Sequence, residues 1–461
     1  MSTPAQPAYY RPRRQRSLFG PLVLIAIGVV FLLRNFGVIS RYGLWMWFSK
    51  YWPLLLILLG LVKLGEYIWA RQTGNPPPRT GAGAIVFLVF FVLFGLGATG
   101  VSRVDWRGVG NQIGADDPDV EDFFSGVFGN RYDFTDSFSQ PVNAAKQIKI
   151  LGNHGDIKIT ASADEQIHAI VQKGLRSESQ SDANKLNEAT HPKFEQQGSI
   201  AVLDLTSGNY QHGQFDLDLQ LPKSVALSVN THHGDITISQ RDASVDATTD
   251  HGDINLDQVK GDAAIHLRHG SITAKDIGGN VTLDGNISNT SISDVRGMVT
   301  MTGTYWGDME LARVARQVRF NTSRTDLQFN RLDGEFNMQP DDLRANGITG
   351  PFRLETKSKG VHLEDTTGDI HIEDRNAPIE LKPKTPGAID VSNVHGEIKV
   401  ILPANAAFQL DAKSLNGDIE NDFGISVDNT RRDTTAKGSV GKGGPMITLR
   451  TERGNIELSK Q

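Results

Sequence analysis

Gly234-Asp235-Ile236-Thr237-Ile238 is followed 18 residues later by Gly252-Asp253-Ile254-Asn255-Leu256, and after another 18 by Gly270-Ser271-Ile272-Thr273-Ala274. An earlier copy reads Gly155-Asp156-Ile157-Lys158-Ile159. Alternation with period two sends Ile236 and Ile238 to one face of a strand and Thr237 to the other. The preceding glycine supplies the positive φ that a tight corner needs. A strand this short cannot bury its face alone, so the copies must stack, each hydrogen-bonded to the next about 4.8 Å away, with their aliphatic residues merging into one core.

Degenerate copies continue the corner position at Thr290, Gly307, Thr325, Asp341, Lys359, Ala377, Gly396 and Gly417, in steps of 16 to 21 residues. A second glycine falls nine residues after the first, as Gly261 does after Gly252 and Gly279 after Gly270. A register kept over so many steps signals a repeat. The expected fold over 143–461 is an all-β parallel solenoid, β-helix-like, with about 18 residues per turn. Residues 144–225 are less regular and read as a cap at its N-terminal end. Residues 424–444 read as a flexible insertion. Gly441-Lys442-Gly443-Gly444 lies there, but no glycine stands five positions before Gly441 and no Ser or Thr follows Lys442, so it is no phosphate loop.

Upstream the composition changes. Ser17 to Leu33 and Thr80 to Ser102 are uncharged runs of 17 and 23 residues, long enough to span a bilayer as helices. Between them Tyr51 to Trp69 gives 19 residues bracketed by Tyr51, Trp52, Tyr67 and Trp69, in the manner of aromatic belts. Lys63 and Glu66, three apart, can pair on that helix. The reading is three spans over 17–101, with a buried or re-entrant middle helix as the alternative. Arg11, Arg13, Arg14 and Arg16 crowd the first span, which orients the basic tail 1–16 toward the cytoplasm. Arg34-Asn35-Phe36 closes the first run instead of the small residues of a cleavage site, so the segment is a retained anchor. Residues 102–142 form an acidic, aromatic linker, either disordered or forming short helical turns through the Phe124/Phe128 and Phe134/Phe138 pairs. Everything after the third span is then extracytoplasmic, and the protein is a multi-pass protein of the cytoplasmic (inner) membrane.

The chain has 461 residues, with 47 Lys and Arg against 53 Asp and Glu for a net charge of −6. That balance offers no basic surface for nucleic acid. With no cysteine, disulfides, thiolate metal sites and cysteine nucleophiles are excluded.

Arg16-Ser17-Leu18-Phe19-Gly20-Pro21, then Gly28-Val29-Val30-Phe31-Leu32-Leu33 and Tyr51-Trp52-Pro53-Leu54-Leu55-Leu56-Ile57-Leu58-Leu59-Gly60, resemble the LiaI and LiaF-like transmembrane region. The Gly-Asp-Ile repeats resemble the toast-rack or candidate-adhesin β-repeat domains, similar to the extracytoplasmic parts of the bacterial LiaF and PspC proteins. The resemblance implies a membrane-anchored β-repeat protein of the cell envelope, and fold alone does not carry its function.

Five histidines, His154, His233, His251, His269 and His395, stand immediately before a corner glycine. Stacking would set His233, His251 and His269 in a column beside Asp235 and Asp253, and these five are the candidate ligand-binding residues. The competing reading is that short polar side chains satisfy the backbone at a corner. Imidazole and carboxylate donors also suggest a pH-sensitive or metal-binding ladder, but a spacing of about 4.8 Å between turns is wider than the ligands of one zinc, at about 2.0 to 2.1 Å each, would naturally sit. No metal, cofactor or catalytic group is assigned. Asp326, Asp333, Glu335, Asp341 and Asp342 with Arg324, Arg331 and Arg344 make a mixture that a polysaccharide-acting enzyme could use, as would any solvated face of a charged repeat. The leading reading is a membrane-anchored, extracytoplasmic β-repeat scaffold that senses or regulates cell-envelope state. Its partners would be the lipid bilayer with membrane or envelope-stress proteins or envelope glycans, and no nucleic acid. The second reading is a surface adhesin or glycan-binding protein, for which Tyr305 and Trp306 are the chief aromatic platforms of the repeat.

Overall fold

The computed structural model describes residues Tyr51, Leu54, 130–142, 145–206, 213–431 and 433–461. The tail 1–16, the three expected spans apart from Tyr51 and Leu54, and most of the linker lie outside the described residues. Among those described, no helix is long and apolar enough to cross a membrane. Two units divide the chain, one holding Met1–Tyr132 and Arg176–Leu186 and the other Asp133–Leu175 and Asn187–Gln461. Helix Gln180–Ala189, whose residues 180–186 fall in the first, begins with a reciprocal cap. Ser179 Oγ accepts the Asp182 N–H at 3.2 Å while donating to Asp182 Oδ2 at 2.9 Å.

The second unit is built from two ladders of short strands. Gln147–Leu151, Ala226–His233, Val245–His251, Ala263–His269, Val281–Ile287, Val299–Tyr305 and Val318–Asn321 pair in parallel as the first ladder. Ile157–Ala161, Ile236–Arg241, Ile254–Val259, Ile272–Ile277, Thr290–Val295 and Met309–Val314 pair likewise as the second. Each turn contributes one strand to each ladder. Ile254 sits between Ile236 and Ile272 in register, and Leu256 between Ile238 and Ala274. These inward side chains are buried, which is why the period-two alternation holds along every strand.

Three details correct the sequence reading. Thr290 pairs with Ile272, so it occupies an inward strand position and Ser288 takes the corner. The Ser288 N–H donates to Gly270 O at 2.8 Å, and the Gly307 N–H to Ser288 O at 2.7 Å. Thr325 begins no parallel turn either. Strand Asp326–Met338 runs antiparallel to both Val318–Asn321 and Met309–Val314 on one side, and to Ile348–Glu355 and Asp342–Asn346 on the other. A single reversed layer thus separates two parallel stacks. Its core is aromatic, with Phe329 5.6 Å from Phe336 and 6.3 Å from Phe352 between ring centroids. Finally, 424–444 is structured, because Thr434–Val440 pairs antiparallel with Phe408–Ser414 and with Val427–Asn429, covering the end of the first ladder.

Beyond the seam, Gly360–Asp374 and Ile379–His395 each contribute to both ladders as one long bent strand, with register shifts where they pass from one to the other. Chain order breaks at both ends. Ile200–Asp204 and Gln214–Leu221 lie outside the earlier Gln147–Leu151 and Ile157–Ala161. Met446–Arg453 and Ile456–Lys460 insert between the turn of Ile379–His395 with Ile398–Leu402 and the turn of Phe408–Ser414 with Ile419–Asn421. Gln166–Ser177 covers Gln214–Leu221 antiparallel, as the expected cap requires. Strand Asn130–Pro141 pairs in turn with Gln166–Ser177, so Phe134 and Phe138 lie on a strand and not in helical turns.

Candidate functional site

The corner after each first-ladder strand carries the predicted histidines. Parallel register puts His251 opposite both His233 and His269, and His154 bridges to His233. Four imidazoles therefore stack. Ring centroids are 4.6, 4.7 and 4.9 Å apart, with interplanar angles of 2°, 3° and 10°. His154 and His233 are half-buried, whereas His251 and His269 are exposed. His395, the fifth, lies in the other stack opposite Arg453, whose Nη1 is 3.2 Å from its Nε2. The column continues past His269 into Ile287 and Tyr305, where it becomes apolar.

Asp235 and Asp253 stand beside this column and hold the backbone. The Asp235 N–H donates to Asp156 Oδ1 at 3.1 Å, the Asp253 N–H to Asp235 Oδ1 at 2.8 Å and the Ser271 N–H to Asp253 Oδ1 at 2.8 Å. Each carboxylate thus accepts the corner amide of the following turn, a donor that the ladders leave without a carbonyl. The opposite corner uses the same device, with the Asn280 N–H on Asp262 Oδ1 and the Met298 N–H on Asn280 Oδ1. Among the described residues, no group of three or more His, Cys, Asp or Glu side chains could hold a metal ion.

On the outer face of the first ladder, Asp250 receives His232 Nδ1 at 2.9 Å from one neighbouring turn and Arg268 Nε at 3.3 Å from the other. The His232 hydrogen bond, with the Arg268 charge, holds the Asp250 carboxyl below its ordinary value. Of the two aromatic platforms, Tyr305 packs edge-on to Phe320 at 5.0 Å, and burial pushes its phenol above the ordinary value. Trp306 is 71% exposed, the one aromatic among the large exposed apolar side chains described.

Within the charged mixture around the reversed layer, two arginines form local pairs. Arg331 Nη2 meets Asp333 at 2.6 Å and Arg344 Nε meets Asp342 at 2.7 Å. The sequence reading missed Arg241. It occupies an inward position, in register with Val259, and is 1% exposed. Its guanidinium donates to the carbonyls of Leu221, Pro222 and Val225 at 3.0, 2.5 and 2.8 Å, and burial lowers its pKa to about 10. The only signal in the sequence is a long cation where neighbouring copies carry Val or Ile.

Two family profiles match the chain. The LiaI-LiaF-like transmembrane region matches residues 18–64, and Toastrack DUF4097 matches residues 145–459. None of the curated proteins matches. Among solved structures, a candidate cell adhesion protein from Clostridium sporogenes is similar at 10% identity, covering 72% of this chain and 100% of its own, with a TM-score of 0.16. A candidate adhesin from Bacteroides fragilis is similar at 12% identity, covering 70% and 97%, with a TM-score of 0.17. Scores that low carry no argument about this chain. The Toastrack profile covers most of the sequence and coincides with the two-ladder unit, so the chain belongs to the Toastrack DUF4097 family, and it carries a LiaI-LiaF-like transmembrane region ahead of that domain.

Proposed function

We propose that the protein is a non-catalytic scaffold of the cytoplasmic membrane whose β-repeat domain faces away from the cytoplasm and binds a protein or envelope component, so as to sense or regulate the state of the envelope. The observation that carries this reading is the union in one chain of a membrane region at 18–64 and a repeat domain at 145–459 whose polar groups recur turn by turn. Chemistry needs unlike groups gathered at one point, while the repeat disperses like groups over a long face. The ridge of His233, His251 and His269 with Asp235 and Asp253 is one such face, and its stacked rings present it as a rigid edge.

The surface-adhesin reading gains less support from stacking platforms, since Trp306 is the one large exposed aromatic among the described residues, and any saccharide contact would rest on hydrogen bonds instead. The test has two parts. A reporter active only outside the cytoplasm, fused after Gln461, should be active. Photo-crosslinkers placed at Thr237, Asn255 and Thr273 in living cells should capture a defined membrane or envelope partner. A reporter active only in the cytoplasm refutes the orientation, and capture of nothing from any turn refutes the scaffold.

A further inference from the structure

The outer face of the second ladder changes character at the reversed layer. Before it, Thr237, Asn255, Thr273 and Ser291 follow one another in register, with Lys158 ahead of them and Glu310 after. After it, a groove of about 640 Å³ opens, lined by Glu335 and Asn337 of the reversed strand, Arg344 and Asn346 of the next, and then His362 and Lys382. That lies within the range of about 300 to 1,000 Å³ of small-molecule sites. From the reversed strand to Ile401 the groove crosses five strands, roughly 19 Å at about 4.8 Å per spacing.

The groove holds two classes of polar group. One is a rigid floor of pairs. Lys382 Nζ meets Glu364 at 2.6 Å, and His362 lies between Asp342 at 3.5 Å and Glu380 at 3.4 Å. The other class consists of Glu335, Asn337 and Asn346, whose side chains line the groove and make no hydrogen bond or ion pair with another described residue. A carboxylate that only accepts, beside two carboxamides that both donate and accept, complements vicinal hydroxyls, each of which is also donor and acceptor. Three carboxylates face two cations along the lining, a balance that repels a polyanion. We infer that this groove binds a neutral or amine-bearing oligosaccharide, with Glu335, Asn337 and Asn346 as the residues that contact its hydroxyls. The inference rests on the proposed envelope-facing scaffold and narrows its ligand to a saccharide class.

The experiment uses the full chain purified in lipid nanodiscs and isothermal titration with three probes: an N-acetylated chito-tetraose, its deacetylated amine form, and tetragalacturonate. The first two should bind, and the acidic probe should bind at least about tenfold more weakly, the factor that 1.4 kcal/mol represents. Glu335→Gln and Asn346→Ala should each weaken binding of the neutral probe by about five- to tenfold, the loss of one or two hydrogen bonds. Lys260→Ala, an exposed position outside the groove, should leave it unchanged. Both groove residues are exposed, so thermal melts should match the parent and show that the variants fold. Lack of binding by either sugar, equal binding of the acidic probe, or unchanged affinity in both groove variants overturns the inference. A partner captured by crosslinking would still stand in that case, because it does not depend on this groove.

Discussion

The two parallel stacks, 226–314 before the reversed layer and 342–460 after it, solve the same packing problem differently. In the first, every turn follows its predecessor in sequence and repeats its corners. Gln240, Gln258, Asp276, Asp294 and Arg313 all adopt positive φ, between 50° and 60°, at equivalent places. Such a backbone is costly for residues with a Cβ, about 1 kcal/mol or more each, and it persists because each corner is held between those above and below. In the second stack only Asp365 among the described non-glycine residues does so, at 49°. There the strands are long and bent, and the corner tolerates Lys359 and Ala377. Cross-turn ion pairs occur in both stacks, as Arg313 to Asp294 in the first and Lys382 to Glu364 in the second, so what distinguishes the first is the strictly repeated corner geometry.

The sharpest way to break the first stack is to charge its core. Ile254→Asp places an unpaired carboxylate where the parent side chain is 0% exposed, and should cost about 3 kcal/mol or more in urea unfolding of the full chain. The same change at the half-exposed Ile401 should cost under about 1 kcal/mol. Equal effects at the two positions would mean that Ile254 does not face the core.

A corner substitution separates the stacks next. A Cβ at Gly252, where φ is +135°, would lie 2.2 Å from Gly234 O, so Gly252→Ala should destabilise by about 2 to 3 kcal/mol. Ala377→Gly, its counterpart beyond the seam, should cost only about 0.5 to 1 kcal/mol. If thermal melts rank the two the other way, the glycine corner is not what holds the first stack.

Arg241→Ala removes the donor to three buried carbonyls and should cost about 2 kcal/mol. Hydrogen exchange should loosen the cap and the first turns while protection of 342–460 is retained. Uniform loosening of both stacks would show that they unfold as one.

The smallest effect belongs to Asp250→Asn, at most about 0.5 to 1 kcal/mol for a partly solvated pair. Because the folded value of Asp250 is depressed, its contribution is fully present above the ordinary carboxylate value near 3.8 and is lost as pH falls through the lower folded value. The variant should therefore flatten the acid limb of stability against pH below about 4. An unchanged limb would remove Asp250 from the account.

How much of this was legible follows from what alternation can encode. Ile236, Ile254 and Ile272 give period, face and register at once, because each phrase restates the last. The histidine column was legible from the same spacing, and Asp235 and Asp253 were legible as corner residues, although their bracing of the next turn needed coordinates. Where Ser288 replaces glycine and Thr290 takes an inward position, the phrase shifts by two and the eye follows the wrong threonine. Strand direction leaves no trace, since Leu327 and Phe329 alternate as well in a reversed strand as in a parallel one. Arg241 was hidden because its partners are backbone carbonyls, which every sequence possesses.

The turn of Met446–Arg453 and Ile456–Lys460, seated inside a layer made earlier in the chain, bears on how the domain is manufactured. Phe408–Ser414 cannot find its parallel neighbour until that later turn has been synthesised. Before then Ile379–His395 and Ile398–Leu402 present open edges, the condition that invites pairing with foreign strands. A chain lacking residues 446–460 therefore leaves Ile379–His395 and Phe408–Ser414 without the strand that joins them.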